Sequence, residues 1–282
     1  MNILIQIAGK LHLGRIYTTI TYPFLPWGWF TSYITFPIFG FLRTKNIGRR
    51  DDLKIANLKN CHKGERCFVI ATGPSLVLED IEKIKYETTL AVNSIFRLYD
   101  KTDWRPDYYV FLDPNLYKTY YKKGFIDLDS FYKKACILNS LNRNIAEARD
   151  LYFVHTNWLD HMYNYGSSEF KYTDDLRYGI NDFYSVTQDS ICLAMYMGFS
   201  EIYLLGADND YLGDKIHFVK TDGDLPIDYE LAIKTQKCMD MAYTELKRIA
   251  DERDIKIYNA TRGGKLEVFP RVTIENVLNE NR

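Results

Sequence analysis

Four short segments of small and polar residues each follow an apolar run that is typical of a buried strand. They supply Thr72, Gly73, Pro74 and Ser75, then Asn93 and Ser94, then Asp113, and finally Asp208 and Asp210. A glycine lets the backbone approach a ligand closely, and the amides of a turn that opens a helix can hold an anion. These residues therefore predict a crevice for a phosphorylated ligand.

The individual roles stay open at this level. Ser75 could cap the next helix or bond a phosphate, and Asn93 and Asp113 could bond a base or ribose or could cap the helices that follow them. The Gly73 turn lacks the full glycine pattern of dinucleotide-binding proteins and the lysine of the phosphate loop. Neither a nicotinamide enzyme nor a P-loop ATPase is favoured.

Asp208 and Asp210 form an Asp-x-Asp pair, an arrangement by which sugar transferases hold a divalent ion such as Mg²⁺ or Mn²⁺ against a diphosphate. The alternatives are a structural role in the loop or a hydrogen bond from substrate hydroxyls to Asp208. His217 follows in a polar segment, and its ordinary pKa suits acid–base catalysis near neutral pH. We predict His217 as the candidate base.

The elements that position these residues alternate from residue 60 onward between short apolar runs and amphipathic stretches. The runs predict strands over 66–71, 89–92, 108–112, 135–138, 151–154, 201–205 and 256–258, and helices over 78–85, 140–148, 190–197 and 229–253. Such alternation is typical of an α/β fold with a mostly parallel sheet. We predict a doubly wound, Rossmann-like domain over residues 51–282, with ligands beyond the carboxyl ends of its strands.

The first fifty residues have a different composition. Residues 16–42 carry no charge and are rich in aromatic side chains, but Pro23, Pro26 and Pro37 interrupt them. The basic residues Arg43, Lys45, Arg49 and Arg50 follow. We predict that the arm 1–50 contacts the cytoplasmic face of the membrane. The alternative is packing against its own domain or against a second copy in a homo-oligomer.

Composition limits the partners and the compartment. The net charge of −1 gives no reason to expect a nucleic acid as partner. The five cysteines are scattered and show no zinc spacing, which favours free thiols in a reducing compartment.

Five segments together are similar to a known family. They are VIATGPSL at 69–76, LAVNSI at 90–95, FLDPN at 111–115, GFSEIYLLGAD at 198–208 and IYNATRGGKLEVFPRV at 257–272. The chain resembles, over about residues 60–272, the domain family named after archaeal 6-hydroxymethylpterin pyrophosphokinase. That family includes motility-associated flagellin glycosyltransferases and is distantly similar to bacterial lipooligosaccharide sialyltransferases.

The resemblance implies roles for single positions. In the sialyltransferases the residues at the places of Thr72, Asn93 and Asp113 contact the CMP part of the donor, and two of the three differ here. A Thr-Ser-Gly run of those enzymes corresponds loosely to the segment from Ser185 to Thr187. Their tyrosines that help the phosphate to leave correspond, with an offset of one residue, to Tyr211, and their catalytic histidine lies further along than His217.

Three functions follow as expectations. The first is a glycosyltransferase that moves a nucleotide-activated sugar, of the CMP-nonulosonic acid type, to a glycan or lipid-linked acceptor for a bacterial surface polysaccharide. The second is an ATP-dependent pyrophosphokinase that acts on a pterin-like alcohol. The third is a non-catalytic subunit of a membrane-bound polysaccharide assembly.

Overall fold

Seven strands of the described residues form where the sequence places its short apolar runs, and two short strands, Thr156–Asn157 and Ile180–Asn181, were not predicted. A computed structural model describes residues 30–157, 171–212 and 229–279. The strands are β1 Arg66–Ile70, β2 Thr89–Val92, β3 Tyr108–Phe111, β4 Ala135–Asn139, β5 Leu151–Val154, β6 Thr156–Asn157, β7 Ile180–Asn181, β8 Glu201–Leu205 and β9 Lys256–Asn259. Seven of them form one parallel sheet in the order β5-β4-β3-β2-β1-β8-β9, and β6 pairs with β7 in a separate parallel ribbon.

Helices cover both faces of this sheet. They are α1 Phe36–Thr44, α2 Arg50–Leu53, α3 Leu78–Lys83, α4 Pro114–Lys122, α5 Val186–Met197, α6 Tyr229–Asp251 and α7 Ile274–Asn279. A π-helical turn, Thr31–Thr35, precedes α1, and 3₁₀ segments occupy Lys54–Leu58, Asn93–Leu98, Leu128–Ser130 and Ser140–Ile145. The helix predicted over 140–148 is thus a shorter 3₁₀ segment, and α4 was not predicted.

Successive strand residues contribute to two different hydrophobic cores. Cys67 and Val69 of β1 face α5 and α6, whereas Phe68 and Ile70 face α3, α4 and α7. A sheet that is buried on both faces needs near-continuous apolar strands, which is what the short runs supply. The predicted doubly wound, Rossmann-like architecture is confirmed.

The order of the strands reverses beside β1. The chain passes from β1 through α3 to β2 on one side, and from β8 through α6 to β9 on the other. The carboxyl ends of β1 and β8 therefore flank the crevice in which sheets of this kind bind their ligands.

The described part of the arm is fastened to the domain through one face of α1. Arg43 is buried and donates from Nε to the carbonyl oxygen of Arg177 and from Nη2 to that of Tyr178, both at 2.7 Å. Gly40 faces Tyr178 so closely that a Cβ would lie 2.8 Å from its carbonyl oxygen. Of the four basic residues that follow the apolar stretch, Arg43 is therefore turned towards the domain, where its guanidinium satisfies two backbone carbonyls.

The opposite face of α1 is apolar and exposed. Ile34, Ile38 and Phe41 follow one another at helical spacing there, and Phe39 is exposed beside them. Residues 1–29 of the predicted arm lie outside the described residues. No helix in the described part of the chain is both long enough and apolar enough to cross a bilayer.

Candidate functional site

A cavity of about 310 Å³ lies at the carboxyl ends of β1, β2, β3 and β8. Among the residues that the sequence analysis selected, those that line it are Thr72, Gly73, Asn93, Asp113, Ser185, Thr187, Asp208, Asp210 and Tyr211. Pro74, Ser75 and Ser94 are not among its lining residues. His217 lies outside the described residues. One cavity thus brings together strand ends that are far apart in the sequence.

The turn after β1 packs directly on the loop after β8. The amide of Gly73 donates to the carbonyl oxygen of Gly206 at 2.9 Å, and a Cβ on Gly73 would lie only 2.0 Å from Asp208 Oδ2. The glycine is required because the two loops touch here, so the close approach that the sequence analysis expected is to Asp208.

Ser75 belongs to the same contact. Its Oγ donates to Asp208 Oδ2 at 2.8 Å and its amide donates to the same oxygen at 3.3 Å. Helix α3 begins at Leu78 with Val77 as its N-cap residue, so the capping role that was considered for Ser75 is wrong. Ser75 instead fixes the position of the Asp208 carboxylate.

The Asp208 carboxyl has an altered acidity. Burial raises its pKa above the ordinary value, the two hydrogen bonds from Ser75 lower it, and the nearby Asp210 raises it. Because burial is the largest of these effects, the net shift is upward. Asp208 is thus easier to protonate than an exposed aspartate.

Asp210 has a different partner from Asp208. Its Oδ1 accepts from Lys265 Nζ at 2.9 Å, and the amide of Lys265 donates to the carbonyl oxygen of Asp208 at 2.7 Å. Within the described residues no group of three or more His, Cys, Asp or Glu side chains could hold a metal ion. The described carboxylates are therefore too few to hold a metal ion without ligands from a substrate. Binding of Mg²⁺ or Mn²⁺ at Asp208 and Asp210 stays a prediction.

Asn93 closes the end of β2 in a left-handed backbone conformation, with φ 46°. It lines the cavity, and its Oδ1 is buried with no hydrogen-bond partner in the described part of the chain. An unsatisfied buried acceptor costs about 1–3 kcal/mol. A ligand N–H or O–H that reached Oδ1 after a small side-chain rotation would recover that cost.

Asp113 combines a structural role with its place in the cavity. Its Oδ1 accepts from the amides of Asn115 and Leu116, at 2.8 and 3.0 Å, and so caps α4. Helix capping was one of the two roles that the sequence predicted for Asp113, and the structure confirms it. The pair of hydrogen bonds fixes the carboxylate at the cavity wall.

Helix α5 points its N-terminus at the cavity. It begins at Val186, four residues before the predicted start, because the Ser185 hydroxyl caps it by accepting from the amide of Gln188 at 3.3 Å. Val186 and Thr187 of the first turn line the cavity. The first amides of a helix have no intrahelical acceptor and carry a partial positive charge, so this turn can hold an anion.

The sequence analysis missed two aspartates of this cavity, Asp182 and Asp189. Asp189 is buried in the first turn of α5, where its Oδ1 accepts from the amide of Phe183 at 3.2 Å. Its carboxyl is hydrogen-bonded to that of Asp182, and burial together with this neighbour raises the pKa of Asp189 well above the ordinary value. Burial and the neighbouring Asp182 therefore favour the protonated form of Asp189.

Three tyrosines also line the cavity, Tyr184, Tyr211 and Tyr243, and Tyr184 and Tyr243 were not predicted. Burial raises the pKa of Tyr211 to about 12 and that of Tyr243 further still. The Tyr211 backbone is fixed because its amide donates to Gln236 Oε1 at 3.1 Å. At neutral pH the phenols of Tyr211 and Tyr243 keep their protons and can donate hydrogen bonds.

The comparisons with known proteins bear on this geometry. The model of the MptE-like family, described as 6-hydroxymethylpterin diphosphokinase MptE-like, matches residues 44–214. The chain belongs to this family. The match includes the strand ends from residue 72 to residue 211. Lys265 lies outside it, as does all of α1 except its last residue, Thr44.

One solved structure to which the chain is similar is that of the MAf glycosyltransferase from Magnetospirillum magneticum AMB-1. It is 16% identical, with a TM-score of 0.48, and the alignment covers 78% of this MptE-like chain and 37% of that longer chain. No curated protein sequence matches the chain.

Proposed function

We propose that this MptE-like protein is a glycosyltransferase that uses a nucleotide-activated sugar, of the CMP-nonulosonic acid type. The observation that carries the proposal is the charge of the strand-end cavity. Five aspartates line it, and no lysine, arginine or histidine does so among the described residues. The aspartates are Asp113, Asp182, Asp189, Asp208 and Asp210.

Such a cavity suits hydroxyl groups better than a chain of phosphates. Two like charges about 6 Å apart repel each other by about 3 kcal/mol at an effective dielectric constant of about 20. A triphosphate would meet this repulsion from several carboxylates at once. A CMP-linked nonulosonic acid, which carries one phosphate and one carboxylate, meets less of it, and its many hydroxyls can donate hydrogen bonds to the carboxylates.

The donor phosphate would then lie at the N-terminus of α5. Val186 and Thr187 offer backbone amides there, and Thr187 adds a hydroxyl. Asn93 would bond the nucleoside through its unsatisfied Oδ1. The hydroxyls of the sugar would reach Asp208 on the other side of the crevice.

The reaction that fits these groups is a direct displacement. The acceptor oxygen forms a bond to the anomeric carbon, and the bond from that carbon to the phosphate oxygen breaks with its electrons on the departing nucleotide. Tyr211 would donate a hydrogen bond to that phosphate, since its phenol is protonated at neutral pH. The acceptor proton would pass to a base, for which His217 remains the candidate.

A thermal-shift screen against CMP, UDP, GDP and ATP, each with and without Mg²⁺, tests the donor class. A ligand that binds only the folded state raises the melting temperature. We expect CMP to give the largest rise in melting temperature, with or without Mg²⁺. We also expect the protein to form product with an activated sugar, and His217→Ala to lose this turnover. A shift with ATP and Mg²⁺ alone would contradict the proposal. Binding without turnover would instead indicate a non-catalytic subunit.

A second candidate is the diphosphokinase activity that the description of the family names. Asp208 and Asp210 would then bind Mg²⁺ together with the phosphates of ATP, once Asp210 had left Lys265. Formation of AMP from ATP in the presence of a hydroxymethyl dihydropterin would favour this candidate. Absence of AMP under conditions in which CMP still shifts the melting temperature would exclude it.

The proposal also includes a location, the cytoplasmic face of a membrane that carries the acceptor. The support is the outer face of α1, where the side chains of Ile38 and Phe41 are 54% and 57% exposed. The exposed Lys45, Arg49 and Arg50 follow, and basic residues beside an apolar helix face attract anionic lipid.

A further inference from the structure

A second cavity, of about 580 Å³, lies between α1, the β6–β7 ribbon and the C-terminal half of α6. Four aromatic side chains and two amides contribute to its lining: Tyr33, Phe36, Tyr172, Tyr178, Asn157 and Asn181. Phe36 and Tyr178 pack edge to face, with their ring centroids 5.6 Å apart, so this part of the wall is rigid.

The β6–β7 ribbon separates the two cavities. Thr156 and Asp182 line the strand-end cavity, whereas Asn157 and Asn181, their neighbours in the chain, line the second one. Neighbouring residues of an extended segment point to opposite sides. The Asn157 and Asn181 side chains are hydrogen-bonded to each other at 3.2 Å, which closes the ribbon between the cavities.

Three basic residues line the second cavity, Lys171, Arg248 and Arg253, and both arginines are paired with acidic neighbours. Arg253 lies over the Tyr172 ring at 4.5 Å and pairs with Asp174 at 3.3 Å. Arg248 pairs with both Glu245 and Glu252. Paired guanidinium groups attract an anion weakly. Apart from Lys171, whose side chain is exposed, the chemistry of this wall is that of rings, amides and hydroxyls.

We propose that the second cavity binds the saccharide of the acceptor. The apolar faces of sugar rings pack on aromatic side chains, and amide and hydroxyl groups bond their hydroxyls. Tyr33 and Phe36 lie outside the family match, which begins at residue 44, so this wall is supplied by the arm. The inference rests on the proposed glycosyltransferase function, because only a glycosyltransferase requires a saccharide acceptor.

A cavity-filling variant tests the acceptor site. Ser32 lines the cavity on the arm, and Ser32→Trp would occupy the space with an indole. We expect the unchanged protein to bind members of a glycan array of bacterial surface oligosaccharides, and Ser32→Trp to bind them at least about tenfold more weakly. Tyr33→Ala, which removes a ring and adds no bulk, should show the same loss.

Tyr86→Trp is the matched control, because Tyr86 is 91% exposed and is not among the residues that line the cavity. Binding of CMP, read from the thermal shift, separates the two proposals. Unchanged glycan affinity in both cavity variants, or no bound glycan at all, overturns the acceptor site even when CMP still binds. A missing CMP shift in the unchanged protein overturns the proposed function instead, whatever the array shows.

Discussion

The Ser75 hydroxyl donates to Asp208 Oδ2 at 2.8 Å and thereby joins the turn after β1 to the loop after β8. These are the two strands between which the order of the sheet reverses. The hydrogen bond therefore spans the crevice in which the ligand is proposed to bind. The carboxylate is positioned by a residue 133 positions away in the chain.

The contact depends on Gly73, which leads to a first prediction. In Gly73→Ala the new Cβ would lie 2.0 Å from Asp208 Oδ2 and 2.4 Å from the carbonyl oxygen of Gly206, so the two loops must separate. We expect the free energy of unfolding to fall by about 3 kcal/mol and nucleotide binding to be lost. Urea unfolding and the CMP thermal shift measure the two effects.

Gly48→Ala is the matched control for that variant. Gly48 has no positive φ, and a Cβ there would first meet Arg43 Cγ at 3.1 Å, a contact that a shift of a few tenths of an ångström relieves. We expect a change in unfolding free energy below about 1 kcal/mol for this control. Equal stability of the two variants would show that the loops are not held together as described.

Much of the fold could be predicted because its signals are local. The strands Thr89–Val92 and Glu201–Leu205 are short apolar runs bounded by polar residues, and their observed bounds equal the predicted ones. The strand ends then brought Gly73, Asn93 and Asp208 to one cavity, since the carboxyl ends of parallel strands share one edge of a sheet.

The rest depends on contacts that no local pattern shows. The start of α5 was missed because Thr187, Gln188 and Asp189 form a polar run, although all three are buried. An aspartate in the first turn of a helix is usually explained by the helix dipole. Only the tertiary contact with Asp182 shows that Asp189 lies at the cavity as half of a carboxyl pair.

A second prediction concerns pH and the Asp182–Asp189 pair. The native pKa of Asp189 lies above the ordinary value of 3.8, so the folded state holds more protons than the unfolded state between these two values. The contribution of Asp189 to the free energy of unfolding is therefore most favourable below pH 3.8. It is lost as the pH rises through the native pKa of Asp189. In Asp189→Asn the amide can donate to Asp182 at every pH.

We expect that the stability of Asp189→Asn does not fall as the pH rises through the native pKa of Asp189. The variant should therefore be more stable than the unchanged protein at pH 8. Chemical unfolding at a series of pH values gives the comparison. The control is Asp103→Asn, at an exposed position, which should leave the pH dependence of the unchanged protein intact. Parallel pH curves for Asp189→Asn and the unchanged protein would show that the pKa of Asp189 is not raised in the folded state.

A third prediction concerns the phosphate at the N-terminus of α5. Thr187→Val keeps the shape of the side chain and removes only its hydroxyl. The variant should lose one hydrogen bond to the charged phosphate, which weakens CMP binding by about 1.5 kcal/mol or more, roughly tenfold. Titration calorimetry measures the affinity. Thr119→Val, at an exposed position of α4, is the control, and equal affinities of the two variants would remove Thr187 from the phosphate site.

A fourth prediction concerns the outer face of α1. In the double variant Ile38→Glu with Phe41→Glu, two exposed apolar side chains become charged, whereas Arg43 still holds the helix to the domain. Burial of one such side chain contributes about 1.5–3 kcal/mol. Binding to anionic liposomes, measured by sedimentation, should therefore fall by more than about tenfold.

The control for membrane binding carries the same added charge elsewhere. Tyr86 and Tyr121 are also exposed aromatic side chains, 91% and 47% exposed, and lie far along the chain from α1. The variant Tyr86→Glu with Tyr121→Glu should sediment with the liposomes as the unchanged protein does. If both double variants lose binding equally, net charge is responsible; if neither does, α1 does not contact the membrane. Only a selective loss in the α1 variant places this helix in the lipid surface, because the two variants differ in position and not in charge.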